Sequence, residues 1–189
     1  MSAYLDQDEQ ILLLKVARQA LENAVRGEPL EKLNLDALPP ALAKPGASFV
    51  TLTIEGRLRG CIGTLEAYQP LAKDVQEHAV AAALKDYRFP IVKPAELQLI
   101  KVEVSVLTPP TPLAYADPQD LLSKLRPHVD GVILQQGRKK ATFLPQVWEK
   151  LPDPADFLSH LCLKMGAPGD LWRNKPLDVL IYQVQDFQE

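Results

Sequence analysis

The residues best suited to chemistry stand together in Leu58-Arg59-Gly60-Cys61-Ile62-Gly63, where an arginine lies two positions before one of the chain's two cysteines. If this run is a strand, side chains alternate across the sheet, so Leu58 and Ile62 face a core. Arg59 and Cys61 then share the other face, their Cα atoms roughly 7 Å apart. A guanidinium beside a thiol favours the thiolate, the nucleophilic form. Gly60 and Gly63 remove side-chain bulk and allow a ligand, or another backbone, to come close. Gly63 followed by Thr64 can also turn backbone N–H groups towards an anion. The competing reading is structural: Cys61 as a small hydrophobe, Arg59 paired with a carboxylate, and the glycines serving packing.

Further candidates flank this run. Asp86 and Arg88 follow an alanine-rich segment; Asp86 can orient Arg59, and Arg88 can hold an anionic substrate. They can equally form an ion pair with each other at a helix exit. Glu103 and Ser105 alternate with Val102, Val104 and Val106, which places both polar groups on one strand face. The histidines at 78, 128 and 160 are scattered and make no metal-ligand spacing with cysteine or carboxylate. His128, before Val129-Asp130-Gly131, is the imidazole best placed by sequence to serve a thiolate. Cys162 falls on an apolar helix face and reads as core. No phosphate loop, dinucleotide fingerprint or nucleophile elbow is present, and nothing implies a cofactor.

The elements that must position these groups follow from periodicity and punctuation. Apolar residues from Asp8 to Val25 recur at helical spacing, and Gly27 ends that helix. Glu28 to Gly46 is proline-interrupted surface chain. Phe49 to Ile54 and Leu58 to Ile62 make a hairpin around Glu55-Gly56-Arg57. A helix runs from Pro70 to Leu84, and Leu99 to Leu107 is a strand. A short helix follows Asp117-Pro118 and ends near Leu125. A second hairpin joins Gly131–Gln135 to Lys140–Leu144 through Gln136-Gly137, and Asp153-Pro154 opens a last helix, closed by Gly166. Asp178 to Phe187 is a final strand. Helices mixed with hairpins give an α+β class with antiparallel sheets.

Composition narrows the function. The chain has 189 residues, 47% hydrophobic and 24% charged, with net charge −3. That suits one soluble globular domain, or two small lobes sharing a core, at a length ample for a real core. The acidic balance argues against a nucleic-acid footprint, and the basic Arg138-Lys139-Lys140 reads as a solvated turn. Two cysteines about a hundred residues apart argue for reduced thiols and a cytoplasmic protein. The opening residues, Met1 to Asp6, lack a leader pattern, and no apolar run is long enough to span a membrane.

These motifs resemble a known family. Leu58 to Thr64, Ala82 to Pro90, Val104 to Leu107, Asp130-Gly131-Val132, Ala141 to Trp148 and Lys164-Met165-Gly166 are similar to the AMMECR-one family. Its prokaryotic members are called AmmeMemoRadiSam system protein A. The resemblance implies a single α+β domain, 1–189, of two intimately joined lobes with the cysteine motif near their cleft. Carried over residue by residue, the candidates are Arg59 and Cys61 for catalysis, and Gly60, Gly63, Asp86, Arg88, Ser105 and Thr142 for ligand binding. It implies partners in Memo-like and radical S-adenosylmethionine proteins and a small-molecule or protein substrate. The alternative is a non-catalytic ligand- or protein-binding module. Eukaryotic relatives read His-Gly-Ile where this chain has Asp130-Gly131-Val132, so a cysteine–histidine pair built on that position cannot operate here.

Overall fold

The structure is a computed structural model whose described residues are 4–189. The reading of Met1 to Ala3 as free of a leader pattern lies outside them. The described residues form two compact units, one ending at Thr108 and regaining Gln185–Glu189, the other spanning Pro109–Val184.

The first unit contains, in chain order, α1 (Gln7–Arg26), α2 (Pro40–Ala43), β1 (Pro45–Ile54), β2 (Arg57–Gly63), β3 (Gln69–Pro70), α3 (Leu71–Leu84) and β4 (Ile100–Leu107). Helix α1 starts and stops where its sequence dictates. Asp6 and Glu9 form a reciprocal capping box, and Gly27 takes the left-handed conformation at the C-terminal end, with φ 72°. Its buried Leu13, Ala17, Ala20 and Leu21 join Val75, Ala79, Ala82 and Ala83 of α3 over Val50, Leu52, Val102 and Val104 of the sheet. The alanines let α3 lie close to the strands. The proline-rich stretch after α1 also contributes to this core, because Leu42 of α2 is fully buried.

The second unit contains β5 (Thr111–Pro112), α4 (Pro118–Lys124), β6 (Gly131–Gln136), β7 (Lys139–Phe143), α5 (Pro154–Lys164), α6 (Leu171–Asn174) and β8 (Asp178–Tyr182). Its sheet runs β5-β8-β6-β7. Asp117 and Asp153 cap α4 and α5, each accepting two backbone N–H bonds. Phe157, Leu158, Leu161 and Cys162 of α5 are buried, with Phe157 stacked on Trp148 at 3.7 Å between ring centroids. Asp130 is fully buried here. Its carboxylate accepts bonds from the Arg126 backbone and guanidinium, and its carbonyl accepts from the Trp148 indole.

The expected last strand is two strands. One strand ends at Tyr182 and the next begins at Val184; Asp178–Tyr182 belongs to the second unit's sheet, while β9 (Val184–Gln188) joins the first. The five-stranded sheet thus runs β2-β1-β4-β9, with β3 also paired to β1. The β1–β2 turn is tighter than expected. Arg57 already pairs with Ile54, leaving Glu55 and Gly56 as a two-residue turn with φ of 51° and 74°. No helix among the described residues is long and apolar enough to cross a membrane.

A buried carboxylate joins α3 to the start of β1. Asp74, fully buried, accepts bonds from the Ser48 N–H at 3.0 Å and the Ser48 hydroxyl at 2.7 Å, with His78 Nδ1 at 3.2 Å. Replacing Asp74→Ala strands these donors and should lower unfolding free energy by about 3 kcal/mol, within the range for unpaired buried polar groups. Urea denaturation followed by circular dichroism measures it.

Candidate functional site

Strand β2 carries the cysteine motif and lies at the edge of its sheet, with β1 as its only strand partner among the described residues. An exposed edge leaves peptide groups unpaired. At Cys61 the loop after α3 supplies the missing partners. Asp86 Oδ2 accepts the Cys61 N–H at 2.9 Å, and Arg88 Nη2 donates to the Cys61 carbonyl at 3.0 Å. Arg88 also binds both oxygens of Asp86, at 2.9 and 2.7 Å. One ion pair therefore does the work of a neighbouring strand. The Arg88 guanidinium, and then the Cys61 and Arg88 backbone N–H groups, hold the buried Asp86 carboxyl well below the usual carboxylate range.

Asp86 does not orient Arg59. That role falls to Glu96, which binds Arg59 bidentately at 2.7 and 3.1 Å. Arg59 also donates to the Pro90 and Ile91 carbonyls. Glu96 is kept below its ordinary value chiefly by the bond from Arg59. The guanidinium bonded to Cys61 belongs to Arg88, and the bond is to the carbonyl. The expected pairing of Arg59 with the thiol is replaced because β2 carries a bulge. Leu52 pairs with Gly60 while Thr53 pairs with Leu58, leaving Arg59 as the extra residue. A bulge breaks the alternation and re-aims the side chain. It also explains Leu58, which is exposed instead of facing the core with Ile62.

The glycines serve packing against the protein's own atoms. A Cβ at Gly60 would lie 2.2 Å from the Ala82 carbonyl oxygen, so α3 can pass over β2 only if that residue has no side chain. A Cβ at Gly63 would meet the Phe49 ring at 2.3 Å and the Ser48 carbonyl oxygen at 2.4 Å.

What the scaffold leaves over is the thiol. Cys61 is half-buried, and Thr51 Oγ1 donates to Sγ at 3.2 Å. Thr51 pairs with Cys61 on one side and with Glu103 on the other, so Cys61, Thr51 and Glu103 form one row across three strands. Phe49 forms the next such row with Gly63 and the buried Ser105. Both rows lie on the face opposite Val50, Leu52, Val102 and Val104. Burial, and then Asp186 of β9, raise the Glu103 carboxyl above its ordinary value. Thr51 and Glu96 carry no motif signal. Thr51 becomes legible only through register, and Glu96 only through the loop that returns it to Arg59.

Thr142 lies in the second unit. Its hydroxyl is 3.0 Å from that of Tyr182, whose phenol burial pushes up to about 12. His128 is in the same unit, exposed and with φ 65°. Among the described residues no group of three or more His, Cys, Asp or Glu could hold a metal ion.

The AMMECR1 family pattern matches residues 14–187. This chain belongs to the AMMECR1 family. A relative from Methanothermobacter thermautotrophicus is 43% identical over 188 residues, spanning 99% of this chain and 97% of its own length. Protein MJ0810 of Methanocaldococcus jannaschii is 35% identical, over 98% of this chain and 92% of its own. The crystal structure of the uncharacterized Pyrococcus horikoshii protein PH0010 superposes with TM-score 0.80 at 32% identity, covering 98% of this chain and 93% of that one. The expected α+β class thus holds at the level of a solved family structure.

Two outcomes follow from this geometry. Gly60→Ala should destabilise the fold by about 2 kcal/mol, as overpacking against backbone does, read as a lower melting temperature. Asp86→Asn should weaken the fold at neutral pH. Because folding depresses the Asp86 pKa, its contribution is present above the unfolded carboxylate range near pH 4 and is lost as pH falls below it. The stability gap between wild type and Asp86→Asn should therefore stay constant from about pH 6 to 8 and narrow below about pH 4, as measured by urea titration.

Proposed function

We propose that the domain is an enzyme, or an enzyme subunit, in which the Cys61 sulfur reacts with a small anionic or protein substrate. The observation that carries this reading is the division of labour around Cys61. Its peptide N–H and C=O are fixed by Asp86 and Arg88, while its side chain reaches the opposite-helix face beside Thr51. Rigid support of a reactive group is what nucleophilic catalysis requires. Glu103, raised by burial and lying one strand beyond Thr51, is suited to give or take a proton on the same face. Arg88, half-exposed beyond its bond to Asp86, is the group suited to meet a substrate anion. As partners we propose the Memo-like and radical S-adenosylmethionine proteins.

A second reading has its own support. Arg59 and Asp86 are occupied by internal bonds, which suits a binding module whose motif is scaffold. A folded Cys61→Ser variant that keeps full cellular function would favour it.

The test uses the chain's own reference thiol. Cys162 is fully buried, and burial pushes its thiol up. Native protein treated with iodoacetamide at neutral pH should be alkylated at Cys61 and remain free at Cys162, as read by peptide mass spectrometry. A Cys61 as inert as Cys162 overturns the reading.

A further inference from the structure

The clasp that fixes Cys61 also displays three apolar side chains to solvent. Tyr87 is 95% exposed, Ile91 62% and Leu58 45%. Single exposed apolar residues are ordinary, but these three are held by anchored backbone. Tyr87 sits between Asp86 and Arg88, both bound to Cys61, in a turn closed by the Phe89 N–H donating to the Asp86 carbonyl. Arg59 grips the Ile91 carbonyl, and the next N–H, of Val92, donates to Ala83. Leu58 directly precedes the bulge at Arg59. The ordering that binding would otherwise require is already in place.

The surrounding charge is mainly basic. Arg57, Lys85, Lys93 and Lys101 are exposed, and Lys101 shares a cross-strand row with Leu58 through Thr53. Asp86 and Arg88 neutralise each other, as do Glu96 and Arg59, which leaves exposed Glu55 at the hairpin tip and half-buried Glu103, two residues beyond Lys101 on its strand, as the carboxylates set against these four cations. This basic rim stands on a chain of net charge −3, so it complements an acidic partner where the rest of the chain does not.

We propose that the outer edge of β2 docks a partner protein through an acidic segment bearing aromatic or aliphatic side chains. The apolar groups pack on Tyr87, Ile91 and Leu58, and carboxylates meet the cationic rim. Docking is through side chains and not by strand addition at Cys61, because Asp86 and Arg88 already cover that peptide. An apolar centre with a charged rim is the anatomy of a protein interface. The surface is independent of any chemistry at Cys61.

Selection of short random peptides displayed on phage against the immobilised full chain tests this, with affinities of synthesised winners read by fluorescence polarisation. Enriched peptides should combine Asp or Glu with Trp, Phe or Leu and weaken as salt rises. Tyr87→Ser should lower their affinity by about tenfold or more, and Ile91→Ser by less, as expected where the larger, more exposed aromatic is the anchor; circular dichroism confirms that both exposed-site variants fold. Four results overturn the proposal: no acidic peptide is enriched; the peptides bind Tyr87→Ser and Ile91→Ser as well as wild type; single-stranded oligo(dT) binds in their place and Tyr87→Ser abolishes that binding; or sedimentation shows self-association through this edge that Tyr87→Ser dissolves.

Discussion

The first unit depends on how the edge of β2 is finished. A strand edge must be paired, covered or made unattractive, or its peptide groups remain open to other chains. Here the cover is an ion pair. Asp86 and Arg88 bind the N–H and C=O of one residue, Cys61, and bind each other. The same contact ties the end of α3 to the strand it crosses, where the absence of a side chain at Gly60 lets the Ala82 carbonyl approach. Arg59, turned outward by its bulge, fastens the following loop through Glu96, Pro90 and Ile91. Most of the cysteine motif is thus mutual support between one strand and one loop, and the thiol is what that support leaves available.

Both units also contain one fully buried carboxylate that organises backbone. Asp74 joins α3 to β1 through Ser48, and Asp130 joins the chain before β6 to Arg126 and Trp148. Buried charge is tolerated only where donors surround it, and each of these carboxylates has several. Asp130 is a structural node of the second unit.

Local signals were readable from the amino-acid order because they are local in cause. The Gly27 stop of α1, the Asp-Pro starts of α4 and α5, the buried face of α5, and the alternation of Val102 and Val104 against Glu103 and Ser105 need only neighbouring residues to specify them. The proximity of Asp86 and Arg88 to the motif was also readable, although their target, the Cys61 peptide, was not. What escaped depends on register. A bulge at Arg59 is defined by which residues of β1 it skips, and it moved both Arg59 and Leu58 away from the faces that strict alternation assigns. Glu96 and Thr51 were invisible for the same reason, since one arrives through a loop and the other through strand pairing. Asp178 to Phe187 looked like one strand because hydrophobic alternation does not reveal where a chain passes from one sheet to another.

Asp86 and Arg88 hold the Cys61 peptide as a neighbouring strand would. Hydrogen exchange of the Cys61 amide, followed by NMR in wild type and in Asp86→Asn, tests it most directly. Protection in wild type should be comparable to that of Val50 in the central strand β1, with a marked loss in Asp86→Asn while Val50 stays protected. A Cys61 amide that exchanges in wild type as fast as an open edge amide would contradict it.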